Sequence, residues 1–262
     1  MKKITLHKWD VAACTYEELL AAMDEWRQDG RVHFACFCDA NGLAHGWQEE
    51  ELALAYRRAD AVLADGQVTK MLARICGGRL PERVIGPHVF PKALSFGVKR
   101  GWRHFFYGAG PGVAAELAEK MRRQFPGVQI VGAYTPPFGE VTPEEWARQK
   151  ELISSAKPDF MWVALGSPKQ EKWCARHLHD LGVPVLLPVG AVFDFYTGRV
   201  PQVPEWVHRV GLCWLWRLVS GGRRTFRRNM WCVPRAAAIL LFEFVRVRIS
   251  RRPVRTTAYG KN

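Results

Sequence analysis

The second half of this 262-residue chain repeats one rhythm: an apolar run, a glycine, a polar cluster and then a helical pattern. Phe160-Met-Trp-Val-Ala-Leu165 leads into Gly166-Ser-Pro-Lys-Gln-Glu171, and Pro184-Val-Leu-Leu-Pro-Val189 leads into Gly190-Ala-Val-Phe-Asp-Phe195. A buried strand that ends in glycine and polar residues is how an open α/β sheet builds a ligand site at its carboxyl edge. The edges of this one offer Lys169, Gln170, Glu171 and Asp194, with Gly166, Gly190 and Phe193 shaping them. Lysine at a helix start, where backbone N–H groups and the helix dipole add positive potential, suits a phosphorylated substrate.

The same rhythm reaches further upstream. His104-Phe-Phe-Tyr107 reads as a strand, Gly108-Ala-Gly-Pro-Gly112 as a glycine loop and Val113 to Gln124 as a helix. Residues 128–131 form the next strand. Pro143 to Ala156 is a helix with Thr142 as N-cap and Glu145 at the capping-box position. Strand 159–165, helix 168–181 and strand 184–189 follow, with Ser167-Pro168 as N-cap and first helical residue. Nearer the start, Thr15 to Arg27 is a helix with Glu18 completing a capping box. Arg31 to Cys38 and Ala61 to Ala64 are strands, and Glu49 to Arg58 and Val68 to Cys76 are helices. This alternation predicts an α/β fold: a Rossmann-like parallel sheet with helices on both faces. The pattern breaks after Arg199. The chain therefore divides into an α/β body, 1–198, and a basic, aromatic-rich C-terminal appendage, 199–262.

Charge sharpens that division. Residues 1–198 hold 24 Lys and Arg against 23 Asp and Glu, whereas 199–262 hold 14 against only Glu205 and Glu243. Nearly all of the net charge of +13 thus lies in the appendage, which predicts an anionic partner. Arg223-Arg-Thr-Phe-Arg-Arg228, between Trp216 and Trp231, mixes cations with aromatics as membrane-surface and nucleic-acid binders both do. No apolar run has the roughly 18–20 residues of a membrane span. Seven scattered cysteines without a Cys-x-x-Cys pair, and an N-terminus without an apolar stretch, read as reduced thiols in a cytosolic protein.

Other motifs are more ambiguous alone. Gly108 and Gly110 can open a pyrophosphate cradle, but the spacing is not the dinucleotide fingerprint and no acid ends the following strand, so NAD is not expected. Asp65-Gly66 ends an apolar run; its carboxylate can act as a general base or simply form a turn. Asp194 is either part of a site or an ordinary acid at a helix start. The histidines show no metal-binding spacing; His177 and His179 read as solvated helix surface, and neither metal nor cofactor is expected.

Taken together, the motifs resemble the WecG/TagA/CpsF family of bacterial glycosyltransferases. They are Ala64-Asp-Gly66, Leu80-Pro-Glu-Arg-Val-x-Gly86, Gly166-x-Pro-Lys-Gln-Glu171, Val189-Gly-x-x-Phe-Asp-Phe-x-x-Gly198, Pro204-x-Trp206, Gly211-Leu212, Trp214-Leu-x-Arg-Leu218 and Arg224 to Arg228. The resemblance runs from about residue 5 to residue 235. It implies an inverting, metal-independent transfer of a sugar from a UDP-sugar to a polyprenyl-pyrophosphate-linked saccharide, in cell-envelope polymer synthesis. It makes Asp65 the catalytic base. Asp39, Arg83, Gly108, Gly110, Gly166, Lys169, Gln170, Glu171, Gly190, Phe193, Asp194, Arg217 and Arg224 become substrate-binding candidates. The implied partners are the UDP-sugar donor, the lipid-linked acceptor and an anionic membrane surface on the inner face of the cell membrane. A second copy of the chain is an open option, and nucleic acid is not expected. The chain departs from the family pattern at Phe37-x-Asp39, where Thr-x-Asn is usual, at Gln67, at Gly86-Pro-His88 and at Cys213. The sugar stays open among N-acetylmannosamine, its uronate and glucose.

Overall fold

A computed structural model describes residues 1–204, 207, 215–216, 222–250 and 256–257. The strands are β1 (Lys2–Thr5), β2 (Asp10–Ala13), β3 (His33–Cys38), β4 (Ala61–Ala64), β5 (Arg103–Gly108), β6 (Gln129–Tyr134), β7 (Phe160–Ala164), β8 (Val185–Pro188) and β9 (Thr256–Thr257). The helices are α1 (Tyr16–Trp26), α2 (Ala40–Gln48), α3 (Glu50–Arg58), α4 (Gln67–Ile75), α5 (Gly86–Val98), α6 (Val113–Gln124), α7 (Pro143–Ala156), α8 (Lys169–His177), α9 (Val192–Thr197) and α10 (Gly222–Ser250). Six strands form one sheet in the order β4-β3-β8-β7-β5-β6, and β2-β1-β9 form a small second sheet. The β3–β8, β8–β7, β7–β5 and β5–β6 pairings are parallel, so the expected α/β architecture is what the chain adopts.

The contacts divide the chain into two compact units. One comprises Met1–Leu19, Phe37–Ile85 and Val200–Asn262; the other comprises Leu20–Cys36 and Gly86–Arg199. The appendage thus belongs to the same unit as the β1–β2 hairpin, α2 and α4.

In the second unit the core is aromatic. Phe90 packs on Phe106, Trp162 and Phe193 with ring centroids 5.0–6.2 Å apart, and Trp102 lies 4.3 Å from Phe160. These rings are essentially inaccessible to water. Each fully buried aromatic contributes several kcal/mol at about 25 cal/mol per Å². His104 lies among them, its Nδ1 accepting from Trp162 Nε1 at 3.1 Å, and burial drives its pKa down to about 3.

Local signals set several boundaries. Thr15 and Glu18 form the expected reciprocal capping box on α1, Thr15 N to Glu18 Oε2 at 2.9 Å and Glu18 N to Thr15 Oγ1 at 3.2 Å. Thr142 caps α7 through Glu145 N at 3.3 Å. Glu145 does not complete that box: its carboxylate accepts from Tyr134, Gln149 and Arg148 instead. Pro168, not Ser167, holds the N-cap position of α8 and makes no side-chain cap bond. His177 is not simply solvated; it packs on Trp146 at 4.4 Å and Trp173 at 5.0 Å and pairs with Asp180 at 2.9 Å. Strand β6 runs three residues beyond the expected 128–131.

Candidate active site

In the first unit, two acids stand directly after strands. Asp39 follows β3 and caps α2, its Oδ1 accepting from Gly42 N at 2.9 Å. Asp65 follows β4, and its N–H donates to Cys38 O at 3.2 Å. Thr69 of α4 adds a second tie to that carbonyl at 2.7 Å. Gly66 brings the two turns together: a Cβ placed there would stand 3.6 Å from Asp39 Cα. Both carboxylates are half-buried. Carboxylates at the ends of neighbouring strands are candidate proton acceptors for a hydroxyl group.

Arg83, half-buried, belongs to the same neighbourhood. Tyr16 OH donates to Arg83 O at 3.1 Å and accepts from Ile85 N at 3.1 Å, and Tyr16 N donates to Glu82 Oε2 at 3.1 Å. Burial, reinforced by the charges of Asp65 and Glu82, pushes the Tyr16 phenol up to about 12. Tyr16 therefore stays protonated and braces the Arg83 segment. Nothing in its sequence context beyond a helix start marks it for this role.

In the second unit, β7 delivers Gly166, Lys169, Gln170 and Glu171, and β8 delivers Gly190. Gly166 and Gln170 bracket each other: Gln170 N donates to Gly166 O at 3.0 Å, and Gly166 N donates to Gln170 Oε1 at 3.2 Å. Gln170 Nε2 donates to Glu171 Oε1 at 3.0 Å and would lie 3.5 Å from a Cβ on Gly190. Gln170 is 4% exposed and Glu171 0%. Their side chains are turned inward and fix the two strand-end loops. Lys169 is exposed at the start of α8 and presents its ammonium to solvent.

The remaining candidates separate in the same way. Phe193 is fully buried against Phe90 and Phe106, which makes it a core residue and not a substrate contact. Gly108 has φ +108°, and a Cβ there would meet Ala164 O at 2.6 Å; glycine is required so that β5 can lie against β7. Thr135 Oγ1 holds the glycine loop through Gly108 O at 3.1 Å and Gly110 O at 3.3 Å. Asp194, half-buried in the first turn of α9, has its carboxyl pKa raised by desolvation, an effect that Arg199 partly offsets. Arg199, which the motif reading passed over, also pairs with Glu116 at 2.6 Å. Arg217 lies outside the described residues, as does the side chain of Arg224.

Comparison with known proteins gives the family of the chain. The family model for glycosyl transferases of the WecG/TagA/CpsF family matches residues 4–250. An N-acetylglucosaminyldiphosphoundecaprenol N-acetyl-beta-D-mannosaminyltransferase of Bacillus spizizenii (strain W23) is 31% identical over 183 residues, 70% of this chain and 68% of that protein. A protein of the same name from Bacillus subtilis (strain 168) is 31% identical over 182 residues, again 70% of this chain and 68% of the relative. A match across nearly the whole chain, together with relatives of this extent, means that the chain belongs to the WecG/TagA/CpsF family of glycosyltransferases.

Proposed function

We propose that the protein transfers N-acetylmannosamine from its UDP-sugar to N-acetylglucosamine on a polyprenyl pyrophosphate, with inversion at the anomeric carbon. The observation that carries this reading is the acid pair: Asp65 and Asp39 at neighbouring strand ends tied through Cys38 O. The relatives' names supply the two sugars and the lipid. Asp65 takes the proton of the acceptor hydroxyl, and the oxygen attacks the anomeric carbon as its bond to the UDP oxygen breaks. Asp39 orients a sugar hydroxyl. Lys169, at the positive end of α8, neutralises the departing diphosphate, and Arg83 is the second cation assigned to it; such donors are worth most where charge develops. Gln170, Glu171 and Gly190 shape the loop that carries Lys169.

The same reading makes the protein peripheral to the inner face of the cell membrane. Among the described residues no helix is long and apolar enough to cross a membrane. Helix α10 exposes both the apolar Met230, Leu241, Phe244 and Ile249 and the basic Arg223, Arg227 and Arg248. That composition suits an anionic lipid surface, at about 1 kcal/mol per nearby basic residue.

A panel of UDP-sugars offered with polyprenyl-pyrophosphate-linked N-acetylglucosamine tests the function. Transfer from UDP-N-acetylmannosamine above the uronate and glucose donors is expected. Absence of transfer from every donor, with the protein folded, would overturn it.

A further inference from the structure

Helix α10 buries Asn229, Cys232, Ala236, Ile239 and Glu243, a face with alternating steps of three and four residues as expected for one side of a helix. That face packs on α2 and α4; α2 begins directly after Asp39 and α4 two residues after Asp65. On the α2 side, Trp231 stacks on His45 at 4.2 Å and Phe242 meets Trp47 edge-on at 6.0 Å. On the α4 side the contact is polar. Glu243 is 0% exposed, and its Oε2 accepts from Arg246 Nε at 2.9 Å and Nη2 at 2.6 Å. The thiol of Cys76, at the end of α4, donates to the same oxygen at 3.9 Å. Oε1 is buried and has no hydrogen-bond partner among the described residues.

A buried carboxylate with one satisfied oxygen is a poor way to gain stability; an apolar side chain of similar volume often does as well or better. It is a good way to select one arrangement, because displacing it strands a buried charge. The α10 face needs such a selector. Its middle consists of the small side chains Cys232 and Ala236, and Glu243 is the one charged group among the described residues of that face, so a slide by one turn of about 5.4 Å would part it from Cys76. Glu243 is also an acid in an appendage otherwise dominated by arginine.

We propose that Glu243 is a positioning residue for the transfer reaction: the Cys76–Glu243–Arg246 cluster fixes the register of α10 on α4, and the α10 face in turn holds α2 and α4 so that Asp39 and Asp65 keep their mutual placement. This rests on the assignment of Asp65 as the base. The donor groups on α8 are not part of the cluster, so its loss acts on turnover and not on nucleotide affinity.

The test compares Glu243→Gln and Glu243→Leu in the full-length protein, each assayed at a temperature where its melting curve shows it fully folded. Turnover should fall about three- to tenfold in E243Q and more than tenfold in E243L, with the UDP dissociation constant unchanged within twofold. Alkylation of Cys76, followed by peptide mass spectrometry, should accelerate in the same order as the register loosens. A merely structural role would lower the melting temperature and leave turnover per folded molecule unchanged, and that result overturns the proposal. Should E243L fail to fold, E243Q decides alone: wild-type turnover in it is equally contradictory. Failure of the base assignment is separately visible, since Asp65→Asn would then keep its turnover while Cys76 alkylation still responded to E243Q.

Discussion

The two compact units carry their polar strand-end residues in opposite ways. In the unit built from β5, β7 and β8, Gln170 and Glu171 face inward, bond to each other and to the backbone, and leave Lys169 exposed. In the unit that holds β4 and α2, Asp39 and Asp65 remain half-buried, held by backbone ties at Cys38 and Gly42. The first arrangement builds a rigid loop that presents one cation. The second presents two carboxylates. A polar cluster after a buried strand marks a site region, but only burial separates the residues that shape it from those that reach a substrate.

Four substitutions probe this contrast. The largest effect belongs to Asp65→Asn, which removes the proposed base: turnover should fall about 10²- to 10⁴-fold, measured with the lipid-linked acceptor at saturation. Loss of only a fewfold would place the chemistry elsewhere. Next is Gly108→Ala, which forces a Cβ onto Ala164 O at a left-handed φ. It should cost about 2–4 kcal/mol of stability, read from denaturant unfolding; a neutral result would deny that the β5–β7 approach is tight. Lys169→Ala should weaken UDP binding by about 10- to 100-fold, the worth of one charge-assisted hydrogen bond, with the melting temperature nearly unchanged. If stability falls and affinity does not, Lys169 belongs with the inward residues. The smallest is Thr15→Ala, which breaks the α1 capping box and should cost about 1 kcal/mol without altering UDP affinity.

The sheet was legible where strands and helices alternate with glycine between them, from His104 to Val189, because period and punctuation agree there. The elements missed have physical reasons. Helix α2 contains Gly42 and Gly46, which depress helix propensity; it is held by the Asp39 cap and by packing against Trp9 and Tyr56, close enough that no Cβ would fit at Gly46. Helix α5 carries Pro87 near its start and Pro91 within it, and burial of Val89, Phe90, Ala93 and Leu94 overrides that signal. The β1–β2 hairpin is four residues a side, too short for a clear alternation. At the candidate site, motif and position single out Asp65 and Lys169, whose roles are proposals. They do not single out Tyr16, Thr135 and Glu243, because their roles depend on partners 67, 27 and 167 residues away. The inward turn of Gln170, Glu171 and Phe193 is likewise a property of packing.

The central claim is a division of labour: the acids carry out the chemistry, and the α8 loop holds the leaving nucleotide. The most direct measurement is calorimetric titration of UDP into Asp65→Asn alongside its turnover. The account predicts UDP affinity within twofold of wild type and turnover at least a hundredfold lower. Wild-type turnover, or loss of UDP affinity in step with turnover, would contradict it.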